Sequence, residues 1–406
     1  MSTAMEKSTN QTSACEHVDK PQIAPVCVEK QERILSTGDG ERNYCAFPTV
    51  LELEKDRVLA AWKQGFAHAA DEGIIRYAVI AKSGSLLERG TAATVPDFNA
   101  QNVELTRLAN GRILMWLDIQ DYRKRKSRMG SIAYEYKDGK FIELDGILTD
   151  TAGTKYGYVF DSLTWNSKDY MIAMTFPELG SQRSTHILTT VDGKTWIQIA
   201  DLNALIGDAV NESSFAVLNE KLYVFSRGDN AATYMTVLNK EGQLLCKHVY
   251  QKEEGIYKTG RPKLFVYNQV LWGIMRNHAF GDTMTLALIC FHADTLSATK
   301  IYTLDDAGIE ISGDGYYAEQ YFDGKDLCVV TYKPQSKGRQ PDIVLMRFPW
   351  NEGHPGRKRA EIALEGAKKT YKCIGSGYSR NPFPGKLERQ RHGSCAPRKR
   401  QRNRFL

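Results

Sequence analysis

The sequence has no long hydrophobic run. Across 406 residues, no apolar stretch approaches the roughly 18 residues that a helix needs to cross a bilayer. The N-terminal stretch, residues 1–26, mixes Ser, Thr, Asn, Glu and Lys and has no apolar core of the kind that a secretory signal peptide carries. We therefore expect a cytoplasmic protein that does not associate with membranes. Export by a route that uses no signal peptide stays open.

Clustered cysteines are also absent. Eight cysteines are scattered along the chain, with no Cys-x-x-Cys pair and no Cys/His group at the spacing of metal ligands. This pattern indicates reduced thiols and a protein that binds neither a metal nor a cofactor. Cys290 and Cys328 lie within apolar runs, so we expect both side chains to be buried.

The net charge of +6 comes from one end of the chain. From residue 351 onward the sequence has 15 Lys and Arg but only 4 Glu, so the body before it is mildly acidic. An acidic body argues against a nucleic-acid-binding protein. The basic tail, residues 351–406, is predicted to be a disordered extension, and the alternative is an arm that binds polyanions. Residues 1–31 are similarly polar and are also predicted to be disordered.

One pattern recurs six times between residues 32 and 350: an alternating apolar strand, a short polar turn and a strongly apolar strand. The turns lie roughly 50 residues apart. They are Lys55-Asp56, Asn110-Gly111, Asn166-Ser167, Asn219-Glu220, Asn268-Gln269 and Asp323-Gly324. Asn and Asp suit tight hairpins because they tolerate left-handed backbone, whereas a β-sandwich would not give a sixfold period of this length. We predict an all-β fold, a six-bladed β-propeller with four-stranded antiparallel blades.

In a propeller, the first strand of each blade starts, and the second ends, at one mouth of the central channel. The sequence at these positions is rich in ionisable and hydrogen-bonding residues, which makes the mouth the default site. The strand starts carry Cys45, Ala46, Gln101, Asn102, Asp161, Glu212, Arg261, Tyr316 and Tyr317. The strand ends carry Lys63, Gln64, Asp118, Glu178, Arg227, Arg276 and Tyr332.

The segment Thr190–Trp196, between two hairpins, resembles the Asp-box of sialidases, in which an Asp accepts hydrogen bonds from turn amides and a Trp packs into the blade. Together with the six hairpins, it makes residues 43–350 similar to the sialidase (BNR-repeat) superfamily, of the bacterial type. The resemblance implies an exo-acting, retaining glycoside hydrolase, here expected to be a monomer, which removes a terminal and acidic sugar from a glycan.

Sialidases use a Tyr nucleophile activated by a Glu, an Asp acid/base, and three arginines that bind the sugar carboxylate. A Tyr suits this substrate because an anionic nucleophile would be repelled by the carboxylate of the sugar. On the segments that match, the resemblance implies Tyr316 as nucleophile, Glu212 as its base, Asp71 as acid/base, and Arg227 and Arg276 as two of the arginines. Tyr317 is the alternative to Tyr316.

The sequence departs from the family at the first arginine. That residue should open blade one, where the chain reads Tyr44-Cys45-Ala46-Phe47-Pro48 and carries no arginine. The candidates to replace it in substrate binding are Lys63, His68 and Arg261. Because a bidentate carboxylate contact is lost, two alternatives stay open. One is an inert propeller that binds a glycan or a protein, and the other is a hydrolase or lyase for a different sugar.

Overall fold

A computed structural model of the chain describes residues 26–356, apart from residues 71, 125–126, 281–283, 307–313, 337 and 352–353. The described residues form six sheets of four or five strands, and the innermost strands of consecutive sheets contact one another around a central axis. The predicted six-bladed, all-β propeller is confirmed. In this part of the chain, no helix has the length and apolar character needed to cross a membrane.

The strands follow in chain order, four to a blade, after two N-terminal strands. These are β1 (Val26–Cys27) and β2 (Gln31–Ser36). Blade one contains β3 (Tyr44–Glu52), β4 (Arg57–Gly65), β5 (Ile74–Ala81) and β6 (Leu86–Thr94). Blade two contains β7 (Asn99–Arg107), β8 (Ile113–Asp121), β9 (Ser127–Lys137) and β10 (Lys140–Glu143). Blade three contains β11 (Tyr158–Trp165), β12 (Lys168–Met174), β13 (Thr185–Thr190) and β14 (Ile197–Asp201).

The second half repeats this plan. Blade four contains β15 (Val210–Leu218), β16 (Lys221–Gly228), β17 (Thr233–Leu238) and β18 (Leu244–Tyr250). Blade five contains β19 (Gly260–Tyr267), β20 (Val270–Asn277), β21 (Thr285–Phe291) and β22 (Ala298–Asp306). Blade six contains β23 (Ala318–Phe322), β24 (Asp326–Pro334), β25 (Pro341–Asn351) and the short β26 (His354–Pro355). The connections include α1 (Leu202–Ile206) and three 3₁₀ turns, at Tyr122–Lys124, Pro177–Leu179 and Lys252–Glu254.

The N-terminal strands complete blades that the C-terminal half of the chain begins. β2 is the outermost strand of blade six and pairs with β25, with Ile34 opposite Val344, while β1 lies parallel to β22 in blade five. Pairing β2 with β25 joins the first described strands to the last blade, and both β1 and β2 cover strand edges. The propeller therefore begins before the boundary predicted at residue 32. The predicted disordered segments lie largely outside the described residues.

The six predicted turns are confirmed as tight hairpins. In four of them both central residues have φ between 48° and 61°, as in a type I′ turn. In the other two turns the second central residue, Gly111 or Gly324, has a positive φ. The second strands are buried almost throughout, as the continuous apolar runs indicated. β8 is buried at every position, whereas the outermost strand β18 is mostly exposed. Cys290 and Cys328 are buried, as predicted.

Side chains on the innermost strands join each blade to the next. The amide of Val50 donates to Glu319 Oε2 (2.8 Å), and the amide of Leu264 donates to Ser214 Oγ (2.7 Å). Equivalent contacts occur at the remaining four junctions, through Leu105–Thr49, Thr106–Ser162, Phe215–Asp161 and Lys263–Glu319. The ring is thus closed by hydrogen bonds at the axis as well as by apolar packing between sheets.

Five charged side chains from four blades form a group on the axis, here called the axial cluster: Glu104, Asp161, Arg261, Lys263 and Glu319. Four of them are buried, and the Lys263 side chain is 19% exposed. Lys263 Nζ lies 2.6 Å from Asp161 Oδ1, 3.4 Å from Glu319 Oε1 and 3.7 Å from Glu104 Oε1. Arg261 Nη2 donates to Glu104 Oε2 at 2.9 Å. Buried charges need such partners, so the cluster ties four blades together below the mouth.

The hairpin between β13 and β14 contains Thr190–Trp196. Asp192 Oδ1 accepts hydrogen bonds from the amides of Lys194 (2.8 Å) and Thr195 (2.7 Å), and Trp196 is buried against Trp116. These backbone amides, together with the Thr190 and Thr195 hydroxyls, hold the pKa of Asp192 well below its ordinary value. The hairpin is on the outer part of blade three, away from the channel.

Candidate active site at the propeller mouth

The backbone at the mouth is irregular. In five innermost strands the ladder register shifts close to the strand start, between Ala46 and Thr49, Gln101 and Glu104, Val159 and Asp161, Val210 and Ser213, and Gly260 and Lys263. Left-handed backbone occurs at non-glycine residues next to or within these strand starts, among them Phe47 (φ 57°), Asn102 (φ 55°) and Tyr316 (φ 61°). Such bulges redirect side chains, and strained backbone concentrates at functional sites.

Four side chains from three blades meet at this mouth. The phenol of Tyr317 lies beside the carboxylate of Glu212, close enough for the charge of the carboxylate to raise the pKa of the phenol. Arg227 Nη1 donates to Glu212 Oε2 at 2.6 Å. The guanidinium carbon of Arg276 lies 5.0 Å from the ring centroid of Tyr317. The structure thus brings together three of the predicted residues, Glu212, Arg227 and Arg276, around a tyrosine.

The charges around Glu212 determine its protonation state. Burial alone would raise the pKa of Glu212, but the guanidinium groups of Arg227 and Arg276 outweigh burial and hold this pKa below its ordinary value. Burial and the adjacent Glu212 carboxylate raise the pKa of Tyr317 well above its ordinary value. At neutral pH the pair is therefore an ionised carboxylate beside a neutral phenol, which are the protonation states that proton transfer from Tyr to Glu needs.

Tyr316, the predicted nucleophile, does not contact Glu212. Its hydroxyl donates to Asp305 Oδ2 at 2.6 Å, and Asp305 also accepts from Lys333 Nζ at 2.8 Å. The left-handed backbone at Tyr316 interrupts the simple alternation of side chains before β23, so Tyr316 turns away and Tyr317 takes the place beside Glu212. The sequence interpretation selected the wrong member of this pair for the contact.

Two residues predicted to bind substrate have structural contacts instead. Arg261 is 4% exposed and belongs to the axial cluster, where it also donates to the carbonyls of Val103 (3.2 Å) and Phe160 (3.4 Å). Its amide donates to Glu212 Oε2 at 3.1 Å, so this residue supports the site from below. Lys63 is fully buried, and its Nζ donates to the carbonyl of His68 at 2.8 Å.

His68 lies at the mouth, where its Nδ1 is 3.0 Å from Asp314 Oδ2. Asp314 was not singled out from the sequence, although it stands two residues before the tyrosine pair. Asp71, the predicted acid/base, lies outside the described residues. The positions of Cys45 and Ala46, where the family arginine is missing, are completely buried.

A further arginine, Arg128 in β9, was not predicted, because the sequence analysis expected only the first and second strands of each blade to supply residues to the mouth. Its guanidinium carbon lies 4.1 Å from the ring centroid of Phe176 and 5.2 Å from that of Tyr158, and it pairs with Asp118. Arg128 could have been predicted from its place near the start of the third strand of blade two, because third strands also begin at the mouth.

Two adjoining clefts open at the mouth. One, of about 480 Å³, is lined by residues that include His68, Gln101, Arg128 and Tyr158. The other, of about 130 Å³, shares Arg128 and Tyr158 with the first and reaches Glu212 and Arg227. A cavity of about 400 Å³ elsewhere, between blades two and three, has a mainly apolar lining. The chemistry-bearing residues are at the mouth, which makes its clefts the candidate site.

No protein-family model matches the sequence, and no curated protein matches it in sequence. The structure, by contrast, is similar to several known ones. A protein of unknown function from Dyadobacter fermentans is 13% identical, with a TM-score of 0.63 over 81% of this chain and 99% of that chain. A sialidase mutant from Trypanosoma rangeli that displays trans-sialidase activity is 9% identical, with a TM-score of 0.54 over 80% of this chain and 59% of that one.

An α-L-arabinofuranosidase from Fusarium graminearum, in complex with an iminosugar inhibitor, is 13% identical, with a TM-score of 0.53 over 80% of this chain and 98% of that one. At identities this low, the similarity shows a shared fold but does not indicate a shared substrate. The chain therefore has the sialidase-like six-bladed propeller fold, which is found in sialidases and in an arabinofuranosidase.

Proposed function

We propose that this protein is an exo-acting, retaining glycoside hydrolase whose substrate is a terminal acidic sugar of a glycan. The observation that carries the proposal is the Tyr317–Glu212 pair at the propeller mouth, flanked by Arg227 and Arg276. The similarity in fold to sialidases and to an arabinofuranosidase supports a glycosidic substrate.

In the proposed reaction, Tyr317 Oη attacks the anomeric carbon and transfers its proton to Glu212. A neutral phenol approaches an acidic sugar without the repulsion that a carboxylate nucleophile would meet. The raised pKa of Tyr317 keeps the phenol protonated until Glu212 accepts the proton. The glycosyl–tyrosine intermediate is then hydrolysed by water, so two displacements retain the configuration at the anomeric carbon.

Two guanidinium groups and one carboxylate lie close to Tyr317, so the immediate surroundings of this phenol carry an excess of positive charge. Arg227 and Arg276 would bind the anionic group of the sugar, since guanidinium groups match carboxylates in geometry and charge. The missing third arginine predicts weaker binding of the carboxylate than a complete triad would give.

The test compares two neighbouring tyrosines. Hydrolysis is measured on a panel of aryl glycosides of sialic acid, a related nonulosonic acid, arabinose and rhamnose. Tyr317→Phe should lower kcat/KM roughly 1,000-fold or more, because it removes the nucleophile. Tyr316→Phe is the matched control and should keep kcat/KM within about threefold, because its hydroxyl contacts Asp305 instead of the Tyr317–Glu212 pair.

The outcomes separate the parts of the proposal. Hydrolysis that survives Tyr317→Phe would exclude this residue as nucleophile, and an inverted product, seen by NMR of the first-formed anomer, would exclude the retaining mechanism. Hydrolysis of the neutral arabinoside or rhamnoside alone would contradict the acidic substrate. Glycan binding with no hydrolysis of any substrate would favour the alternative of an inert binding propeller.

A further inference from the structure

A second group of polar side chains lies at the same mouth. It consists of His68, Asp314, Tyr44 and Tyr332, here called the histidine cluster. Tyr44 donates to Asp314 Oδ2 at 2.6 Å, and Tyr332 donates to Asp314 Oδ1 at 2.8 Å. His68 Nδ1 lies 3.0 Å from Asp314 Oδ2 and 3.1 Å from the Tyr44 hydroxyl. The Asp314 carboxylate is thus held at both oxygens.

The cluster determines which histidine nitrogen can exchange a proton. A carboxylate accepts hydrogen bonds and does not donate them, so Nδ1 of His68 carries the proton that is shared with Asp314. Although burial acts in the opposite direction, the hydrogen bonds from His68, Tyr44 and Tyr332 hold the pKa of Asp314 below its ordinary value and keep it ionised. Nε2 is the ring nitrogen that remains available to a bound sugar. It has no hydrogen-bond partner among the described residues, and 52% of the side chain is exposed.

The loop that carries His68 is held in place from below. Lys63 Nζ donates to the carbonyl of His68, and Gly65 and Gly73 lie close to the Lys63 chain, where added Cβ atoms would meet its Cε at 3.3 and 3.1 Å. The ring of Phe47 packs edge-on against His68, with centroids 5.0 Å apart. A half-exposed histidine with this much support is positioned, in contrast to a histidine on an unconstrained surface loop.

Phe47 also connects this cluster to the Tyr317–Glu212 pair. Its ring centroid lies 5.8 Å from that of Tyr317, so the same side chain contacts His68 on one side and the proposed nucleophile on the other. His68 lines the larger cleft, and Glu212 lines the smaller one. The two clefts share the lining residues Arg128, Tyr158, Phe176 and Arg183. A sugar bound over Tyr317 would therefore extend its leaving group toward the part of the mouth that His68 lines.

We propose that His68 is the general acid and base of the reaction, and that Asp314 is the positioning residue that orients its ring. This inference rests on the proposed function, and it assigns to a histidine–aspartate pair the role that the family resemblance gives to Asp71.

The proton balance is as follows. In the first displacement, the bond between the anomeric carbon and the leaving oxygen breaks, and its electron pair goes to that oxygen. His68 Nε2 gives the leaving oxygen a proton. At the same time Tyr317 Oη bonds to the anomeric carbon, and the proton of the phenol goes to Glu212. In the second, neutral Nε2 takes a proton from water as the water oxygen attacks the anomeric carbon. Tyr317 leaves with the electron pair of its C–O bond and recovers its proton from Glu212. The sum is hydrolysis, with every group restored.

The experiment uses the leaving group to isolate the acid. A good leaving group such as 4-nitrophenolate departs without a proton, whereas a sugar or alkyl alcohol does not. His68→Gln should therefore lower kcat/KM about 100-fold or more on an alkyl glycoside or disaccharide, but less than about tenfold on the nitrophenyl glycoside. Azide, which attacks without a general base, should accelerate turnover of the nitrophenyl glycoside by the variant and give a glycosyl azide.

Asp314→Asn tests the positioning role with a separate readout. It should show the same dependence on leaving group, and ¹⁵N NMR of His68 should show loss of the Nδ1–H tautomer, which a merely structural change would leave in place. His248→Gln is the matched control, because His248 pairs with Glu254 at 3.0 Å in the outermost strand of blade four. It should leave both activities unchanged. Circular dichroism checks that each variant is folded.

Equal losses by His68→Gln on both leaving groups, no loss at all, or a leaving-group dependence that appears in Asp71→Asn instead, would overturn the assignment of His68. Such results would leave the proposed function standing if Tyr317→Phe still abolished hydrolysis. A wild-type chain that hydrolyses no glycoside would overturn both.

Discussion

Replacing Lys263 by Met tests whether the axial cluster stabilises the propeller. The ammonium of Lys263 neutralises part of the charge of three carboxylates, those of Asp161, Glu319 and Glu104, at 2.6, 3.4 and 3.7 Å. Met keeps most of the length of the side chain but removes the charge. Removing one partner of a buried ionic group costs about 3–5 kcal/mol, because the remaining charges stay buried without compensation. At about 2 °C per kcal/mol for a chain of this size, Tm should fall by about 6–10 °C.

The assay is thermal unfolding at pH 7, followed by calorimetry and far-UV circular dichroism. Burial lowers the pKa of Lys263, but the carboxylates more than offset this, so its pKa is raised above the ordinary value. The stabilisation by a cation of raised pKa is fully present below its ordinary pKa, so pH 7 measures all of it. Arg112→Met is the control. Arg112 pairs with Glu135 on the surface, where both side chains are about a quarter exposed, and the pair should contribute at most about 1 kcal/mol.

The pH dependence adds a second check. In Lys263→Met, uncompensated carboxylates bind protons more tightly in the folded state than in the unfolded state, so the deficit relative to wild type should shrink as the pH falls from 7 toward 4. A further variant, Lys263→Met with Asp161→Asn, should recover part of the lost stability. If Lys263→Met were as stable as Arg112→Met at pH 7, the axial charges would not hold the blades together and the reasoning would be refuted.

Two further predictions concern single residues of the axis and the mouth. Burial, with the charges of Glu319 and Asp161, raises the pKa of Glu104 well above its ordinary value, so ionising this group costs the folded state stability as the pH rises above the ordinary value. In Glu104→Gln this cost is absent, so the stability of the variant relative to wild type should increase as the pH rises from 4 to 8, measured by urea unfolding. A relative stability that falls as the pH rises would contradict the reasoning. A Cβ at Gly260 would lie 2.5 Å from the guanidinium of Arg276, so Gly260→Ala should displace this flexible group. The substitution should lower kcat/KM roughly tenfold or more and change the free energy of unfolding by less than about 1 kcal/mol. Unchanged kinetics would mean that Arg276 does not bind substrate.

The architecture could be predicted from local patterns because propeller blades are built from short-range pairing. Turns such as Asn219-Glu220 need left-handed backbone at both central residues, and an Asn or Asp within the turn marks it directly in the sequence. The continuous apolar runs next to these turns follow from burial on both faces of the second strand. These signals are local, so reading them needs no knowledge of how the blades are arranged.

The site could be predicted only in part. Glu212, Arg227 and Arg276 were found because strand ends must converge at one mouth. Arg261 starts its strand in the same way, yet the bulge between Gly260 and Lys263 leaves it in the axial cluster, and no sequence pattern distinguishes it from the other arginines. Which charged side chain faces the cleft depends on the axial partners supplied by other blades.

The sequence by itself thus determined the sixfold hairpin, the second strands and the position of the mouth, since these follow from turn chemistry and burial within one blade. Only the tertiary structure decided which tyrosine meets Glu212, because the left-handed backbone of Tyr316 reverses the expected direction of two neighbouring side chains. It alone joined His68 to Asp314, which are 246 residues apart in the chain. Contacts of this kind exist only once the first and last blades are brought together by ring closure.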